Sequence, residues 1–356
     1  MYKSFAILIV FLISCSVQPK LILQKTDFAN ISGWSYDDHN ELLAAYNESC
    51  KKFDIKQWQN FYKKNNIIGE PHEYCKVFYK DFKKNKNDFK SFLEQRFTPY
   101  LVLNNKNNKG LYTGYYELEL TASLLASEKY KYPIYSRPKD ITLIRPYYTR
   151  EEIENGVLKG KNLEIAYTDD PVRLFFLHIQ GSGILNFENG KSIRITYDGQ
   201  NGHKYFPIGK YLKYIEKISP EEINALFIMN WLRLYKFKAQ SVMNLNKSYI
   251  FFRINKDTSP IGAQQIPLTP ERSLAIDRKF FPLGSVFWLN THATYNNSKI
   301  NKLFIAQDTG GAIKGIVRGD IFFGKGKEAE KQASSMKNIG EYHILLPKNH
   351  IVNSKQ

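Results

Sequence analysis

The stretch Ala306-Gln307-Asp308-Thr309-Gly310-Gly311-Ala312-Ile313-Lys314-Gly315, running on to Arg318-Gly319-Asp320, sets two acidic side chains around a glycine-rich turn. A short β-prone run, Leu303 to Ala306, leads into it. Two segments of similar character lie upstream. One is Thr113-Gly114-Tyr115-Tyr116-Glu117; the other is Phe175-Phe176-Leu177-His178-Ile179-Gln180-Gly181-Ser182-Gly183, followed by Tyr197-Asp198-Gly199-Gln200-Asn201-Gly202-His203. Glycines let a backbone approach a ligand closely, and Gln, Asn, Ser and Tyr supply the donors and acceptors that sugar hydroxyls and acetamido groups need. Such loops suit a carbohydrate cleft, although turn chemistry alone also places Gly, Asn and Asp between strands.

Working outward, the hydrophobic period after Pro99 is two. Tyr100 to Leu103, Tyr112 to Leu120, Ile165 to Tyr167, Leu174 to Ile179, Ser192 to Tyr197, Tyr249 to Arg253, Val286 to Leu289, Leu303 to Ala306 and His343 to Leu346 read as short strands. Helices are predicted over Arg150 to Gly156, behind a Thr149/Glu152 capping box, over Pro220 to Phe237 with Ser219 as N-cap, and over Glu328 to Lys337. Trp231 and Trp288 read as core residues. From Asp37 to Phe97 the period is helical, with Leu42, Leu43 and Tyr46, then Val77, Phe78 and Phe82, then Phe89, Phe92, Leu93 and Phe97 recurring among lysines. The Lys83 to Asn87 run reads as a solvated loop and Val17 to Ala29 as a linker. The fold class is mainly β with accessory α: barrels, not a doubly wound parallel sheet.

The chain has 356 residues, 51 Lys or Arg against 34 Asp or Glu, a formal charge of +17 and only 43% hydrophobic residues. That excludes a polytopic membrane protein and leaves room for two domains. The basic balance points to a polyanionic partner. Met1 to Ser16, MYKSFAILIVFLISCS, carries Lys3 and an apolar run from Phe5 to Ile13 that is too short to span a bilayer, as in a secretory signal. Leu12-Ile13-Ser14-Cys15 resembles the lipobox of bacterial lipoproteins, which makes Cys15 a lipidation site; Ser16, where an inner-membrane retention signal has Asp, implies the outer membrane. Export disfavours nucleic acid and brings murein forward as the partner. Cys50 and Cys75 either pair or remain separate thiols. The seven histidines show no metal-ligand spacing, so neither metal nor cofactor is expected.

Taken with Pro133-Ile134-Tyr135, Pro267-Leu268-Thr269-Pro270-Glu271-Arg272-Ser273-Leu274-Ala275-Ile276-Asp277 and Phe281-Pro282-Leu283-Gly284, the segments quoted above resemble the membrane-bound lytic murein transglycosylase A family, including its C-terminal three-aspartate domain. The resemblance covers about Leu111 to Pro347. It implies a signal peptide over 1–15, a linker and N-terminal helices packed on the barrel over 16–97, a double-psi β-barrel built from 98–125 and 245–348, and an inserted β-barrel-like domain over 126–244, with a cleft between. It also implies the reaction: cleavage of the β-1,4 bond between N-acetylmuramic acid and N-acetylglucosamine of peptidoglycan, the muramyl O6 closing on C1 to give a 1,6-anhydro end. Peptidoglycan, a lipid anchor and cell-wall synthesis or division proteins are the partners it suggests, at the periplasmic face of the outer membrane.

The aspartates suit that chemistry. Glycosidases ordinarily need two carboxyls, but attack by the substrate's own O6 needs no positioned water, so one carboxyl can protonate the leaving oxygen and then take the O6 proton. That acid must be neutral near pH 7, held so by burial or a nearby anion. By the matching motif Asp320 is the general acid/base and Asp308 its supporting carboxylate. Arg318 would lower the pKa of Asp320 and is expected to point away. Asp277 is expected to brace the barrel through backbone hydrogen bonds. Thr113 is placed near the scissile bond, Tyr115 as a stacking platform, and Gly114, Gln180, Ser182, Gln200, Asn201 and Lys314 as further substrate contacts; His203 reads as a turn residue. A water-using murein glycosidase and a non-catalytic peptidoglycan-binding lipoprotein are the alternatives.

Overall fold

A computed structural model describes residues 18–82, 88–219, 222–257 and 259–352. The signal segment with Cys15, the Lys83–Asn87 run and Pro220 lie outside the described residues. Fifteen strands among the described residues follow the chain: β1 (Leu21–Lys25), β2 (Ile67–Ile68), β3 (Phe97–Asn104), β4 (Gly110–Ser123), β5 (Tyr132–Tyr135), β6 (Glu164–Thr168), β7 (Ser182–Phe187) and β8 (Ser192–Gln200), then β9 (Ile250–Asn255), β10 (Ser273–Ala275), β11 (Val286–His292), β12 (Lys299–Asp308), β13 (Arg318–Lys325), β14 (Lys337–Pro347) and β15 (Ile351–Val352).

Strand β4, 14 residues long, belongs to two closed rings. Its first half pairs in parallel with β13, from Leu111↔Arg318 to Glu117↔Lys325, and antiparallel with β14, from Gly110↔Gly340 to Thr113↔Lys337. From β13 the ladder runs through β10, β12 and β11 to β14 and so back to β4, closing six strands. Its second half pairs with β7 from Leu118↔Gly183 onward and with β6 at Ala122↔Thr168. There the ladder runs β7, β8, β9, crosses a Ser136↔Phe252 bridge at the end of β5, and returns through β6. Closure leaves neither ring with the exposed edges that an open sheet would present.

Each ring has its own core. Tyr112 at the start of β4 packs with Leu274, Val286, Phe287, Trp288 and Ile321. Tyr116, Leu118, Leu120 and Ala122 pack instead with Leu185, Ile195, Phe252 and helical residues that include Trp231. At the changeover stands Glu117, 1% exposed and paired through both carboxylate oxygens with Arg194 of β8, whose Nη1 donates to the Asp257 carbonyl at 2.7 Å. The N-terminal helices join the first core. Arg272, 2% exposed, grips both oxygens of Asp37 at 2.7 Å and Glu41 at 2.6 Å. A Cys50–Cys75 disulfide fastens the helix Leu43–Lys51 to the helix Glu73–Val77.

Three expectations are corrected here. Leu174 to Ile179 is not a strand; it lies in a helix, Pro171–Gln180, capped by Asp170, with Pro at its first position and left-handed Gly181 at its end. Those capping signals outweigh a short apolar run, which fits either element. Part of the expected linker forms β1, an edge strand on β3. The helix expected from Pro220 begins at Ala225, where Asn224 accepts from Phe227 N at 2.9 Å, and a second helix, Lys236–Asn244, follows. Asp320 is the third residue of β13.

Replacing Glu117 by Ala strands the Arg194 guanidinium in the wall between the two cores. The expected cost is about 3–5 kcal/mol of stability by urea denaturation; a loss below about 1 kcal/mol, the range of exposed pairs, would show that the junction does not depend on it.

Candidate active site

The site follows from strand register. Asp320 of β13 lies opposite Thr113 of β4 on one side and Ala275 of β10 on the other, and Ala275 in turn lies opposite Asp308 of β12. Residues opposite one another across a ladder project to the same face, so Thr113, Asp320, Ala275 and Asp308 form one transverse row. Ala275 leaves space between the two carboxyls. Neighbouring Tyr112, Leu274 and Ile321 turn the other way, into the first core.

The two carboxyls have unequal surroundings. Asp308 Oδ1 accepts from Ala263 N at 3.0 Å and its own neighbour Thr309 N at 2.9 Å, while Oδ2 accepts from the Tyr115 hydroxyl at 2.9 Å. Asp320 Oδ1 accepts from the Thr113 hydroxyl, and no protein donor among the described residues reaches its Oδ2. Both keep some accessible surface. Burial is the main reason that both acids are held above the ordinary carboxylate range, Asp308 at about 6. Hydrogen bonds from Thr309, Tyr115 and Ala263 oppose that rise at Asp308, and the charge of Asp320 adds to it. Protonating Asp320 removes that repulsion. Two like charges this close disfavour double ionisation, so the pair titrates as a coupled unit in which three donors favour the charged form of Asp308 and one hydroxyl that of Asp320.

Arg318 points toward the pair, contrary to expectation. It stands two residues from Asp320 on the same strand, and side chains two apart share a face. Its Nη2 donates to Thr113 Oγ1 at 2.7 Å, and the Thr113 hydroxyl in turn donates to Asp320 Oδ1. Arg318 also donates to the Leu111 and Gly319 carbonyls, and its charge partly offsets the burial that raises Asp320. Thr113 is thus a hydroxyl held between cation and acid.

Other residues singled out in the sequence are placed differently. Tyr115 is 8% exposed, packed against Phe322 and bonded to Asp308, so its ring face is not a sugar platform. Gly114 faces away from the row; a Cβ there would sit 2.6 Å from the Phe323 ring and 2.8 Å from Ala333 Cα, which accounts for glycine by packing. Asn201 is 1% exposed and its amide is spent on backbone, donating to the Tyr148 and Lys247 carbonyls and accepting from Tyr249 N at 2.9 Å. Gln180 Oε1 accepts from Tyr116 N at 3.1 Å. Ser182 is buried in β7 opposite Thr196. Gln200 and Lys314 are exposed. Asp277 accepts from Lys279 N at 3.0 Å and Gly315 N at 2.9 Å, tying the glycine-rich loop to the barrel, and the His203 ring contacts the Tyr147 carbonyl at 2.8 Å.

Sequence reasoning passed over Tyr205. It comes from the second ring, and a Cβ on Gly311 would lie 3.5 Å from its Cβ, so it meets the Asp308–Asp320 loop across the space between the rings. Burial pushes its hydroxyl up to about 12, and Asp320 is among the charges acting on it. Its signal was its place two residues after His203 in a motif already noted. A cavity of about 940 Å³, lined by Glu119, Thr168, Arg173 and Met243 among others, includes neither carboxyl and lies away from this chemistry.

Comparison with known proteins bears on the whole arrangement. Residues 272–346 match the 3D domain, which takes in Asp277, Asp308 and Asp320, and residues 111–253 match the MltA specific insert domain. The fold is similar to that of a membrane-bound lytic murein transglycosylase from Agrobacterium tumefaciens (TM-score 0.76, 28% identity, covering 92% of this chain and 98% of that one). It is also similar to MltA from Neisseria gonorrhoeae (TM-score 0.73, 30% identity, 94% and 95% covered). Membrane-bound lytic murein transglycosylase A of Escherichia coli K12 is 31% identical over 241 residues, 66% of this chain and 65% of that protein's length. The chain belongs to the membrane-bound lytic murein transglycosylase A family.

The Arg318–Thr113–Asp320 chain gives a test that needs no substrate. Replacing Arg318 by Met removes the charge that favours ionised Asp320, so the Asp320 pKa is expected to rise further. Carbon-13 NMR titration of labelled Asp side chains reads the shift; a fall or no change would mean that Arg318 does not act on the acid.

Proposed function

We propose that the protein is a peptidoglycan lytic transglycosylase in which Asp320 serves as both acid and base. The observation that carries this reading is the inequality between the carboxyls: three donors hold Asp308, whereas Asp320 keeps Oδ2 open. Membership of a family whose relatives are named lytic murein transglycosylases supports the substrate class.

In the proposed reaction neutral Asp320 gives its proton to the glycosidic oxygen between N-acetylmuramic acid and N-acetylglucosamine, and the C1–O4 bond breaks. The Asp320 carboxylate then takes the proton from the muramyl O6 hydroxyl as O6 bonds to C1. The acid is regenerated and no water is consumed; the products are a 1,6-anhydromuramic end and a free O4 hydroxyl. Asp308 keeps its neighbour protonated before the first step by electrostatic repulsion. Thr113 aims Asp320, with Arg318 holding the hydroxyl. Gln200 and Lys314, both exposed, are the remaining predicted contacts available to sugar or stem peptide.

The finer architecture belongs to the same reading. The first ring is assigned as the double-psi β-barrel, the second, which takes β4 and β9 from outside the expected 126–244 insert, as the inserted domain, and the space that Tyr205 faces as the glycan groove. Cys15 would anchor the domain by lipid at the periplasmic face of the outer membrane.

Mass spectrometry of muropeptides released from purified sacculi tests the reaction. The wild type is expected to release ends one water lighter than hydrolysis gives, and Asp320→Asn to be slower by about 10²- to 10⁴-fold. Products of hydrolysed mass would favour a water-using glycosidase, and equal release by both proteins would remove Asp320 from the mechanism.

A further inference from the structure

The N-terminal helices would pass for a brace on the first ring, yet one of them delivers a buried hydroxyl to the backbone around Asp308. Ser49, on the helix Leu43–Lys51, is 2% exposed, as far inside as Gln264 (7%) and Gln307 (0%). Its Oγ donates to Gln264 Oε1 at 2.9 Å and accepts from Gln307 Nε2 at 2.9 Å. Gln264 Nε2 returns to the Ser49 carbonyl at 3.1 Å, and Gln307 Nε2 also donates to the Ala45 carbonyl at 3.0 Å. Gln307 Oε1 accepts from the fully buried Ser273 hydroxyl. Every amide atom of the two glutamines' side chains is engaged.

The two glutamines stand beside the two things that define Asp308. Gln307 immediately precedes it on β12. Gln264 follows Ala263, whose N–H donates to Asp308 Oδ1 at 3.0 Å, and Gln264 N itself donates to the Gln307 carbonyl at 3.0 Å. The approach is close enough that a Cβ on Gly262 would lie 2.6 Å from that carbonyl oxygen. One hydroxyl thus fixes both the strand that carries the carboxylate and the amide that the carboxylate accepts. The neighbouring Cys50–Cys75 disulfide holds the helix in place.

We infer that Ser49, Gln264 and Gln307 form a positioning network that keeps Asp308 aimed and ionised beside Asp320. The inference rests on the reading of Asp320 as donor and Asp308 as its ionised partner. Loosening the network weakens the Ala263 N–H bond, a bond to the charged form, so Asp308 holds its proton to higher pH. A proton held on Asp308 also competes with the one that Asp320 must carry, so the active fraction falls. The active window closes from its acid side.

The test is kcat, KM and the pH profile of sacculus digestion for Ser49→Ala and Gln264→Met, on protein whose near-ultraviolet circular dichroism matches the wild type, with Ser49→Thr as the hydroxyl-retaining control. Expected are a kcat lower by about tenfold to 10²-fold, KM within about twofold, an acid limb moved to higher pH, and recovery in Ser49→Thr. Both folded variants showing wild-type kcat and an unmoved acid limb would overturn the inference, as would a change confined to KM. Should Ser49→Ala fail to fold, Gln264→Met carries the same readout from the other end of the bond. Asp320→Asn is run alongside. If it is inactive while Ser49→Ala behaves as wild type, only the positioning inference fails; if it retains activity, the assignment of the donor fails.

Discussion

Strand β4 is hydrogen-bonded into two rings at once, and the position of everything that matters follows from that. Its residues from Gly110 to Glu117 obey the register of β13 and β14, and those from Leu118 to Ala122 obey that of β7 and β6. A slip of one residue would turn each side chain to the opposite face in both rings together. The row containing Thr113 is therefore specified twice, from either side of a junction locked by the buried Glu117–Arg194 pair. Tyr205 meets the aspartate loop because the second ring is built on the same strand as the first.

That geometry creates chemical difference from identical groups. Asp308 and Asp320 are two strands apart on one face, and both are raised by the same burial. What separates them is donors: two backbone amides and a phenol at Asp308, one threonine hydroxyl at Asp320. A carboxylate that accepts several donors is stabilised as the anion, and a neighbouring anion stabilises the other group as the acid. Arg318 acts in the opposite direction on Asp320, through space and through Thr113, so the neutrality proposed for the acid is a balance of burial against one cation and one hydroxyl.

Much of this was legible in the sequence because the relevant signals are local. The glycine-rich segment after Asp308, the Thr149/Glu152 capping box and most strands of the rings could be read from neighbouring residues. The Pro171–Gln180 helix was misread because Phe175 to Ile179 is apolar throughout, and its caps at Asp170 and Gly181 were the better evidence. Asn201 and Tyr115 looked like ligand groups by type, yet backbone carbonyls and Asp308 consume their polar atoms. Register shows why Arg318 faces the acid, but that requires knowing that residues 318–325 form a strand. Ser49 was invisible: its partners Gln264 and Gln307 lie 215 and 258 positions away, and a lone serine in a helical period carries no mark of them.

The central claim is that near neutral pH the pair holds one proton and that Asp320 carries it. Infrared difference spectroscopy of the carboxyl C=O stretch in the free protein tests this directly. One protonated carboxyl band is expected in the wild type, lost in Asp320→Asn while Asp308 remains ionised. A band that survives Asp320→Asn and vanishes in Asp308→Asn would place the proton on the wrong carboxyl and contradict the account.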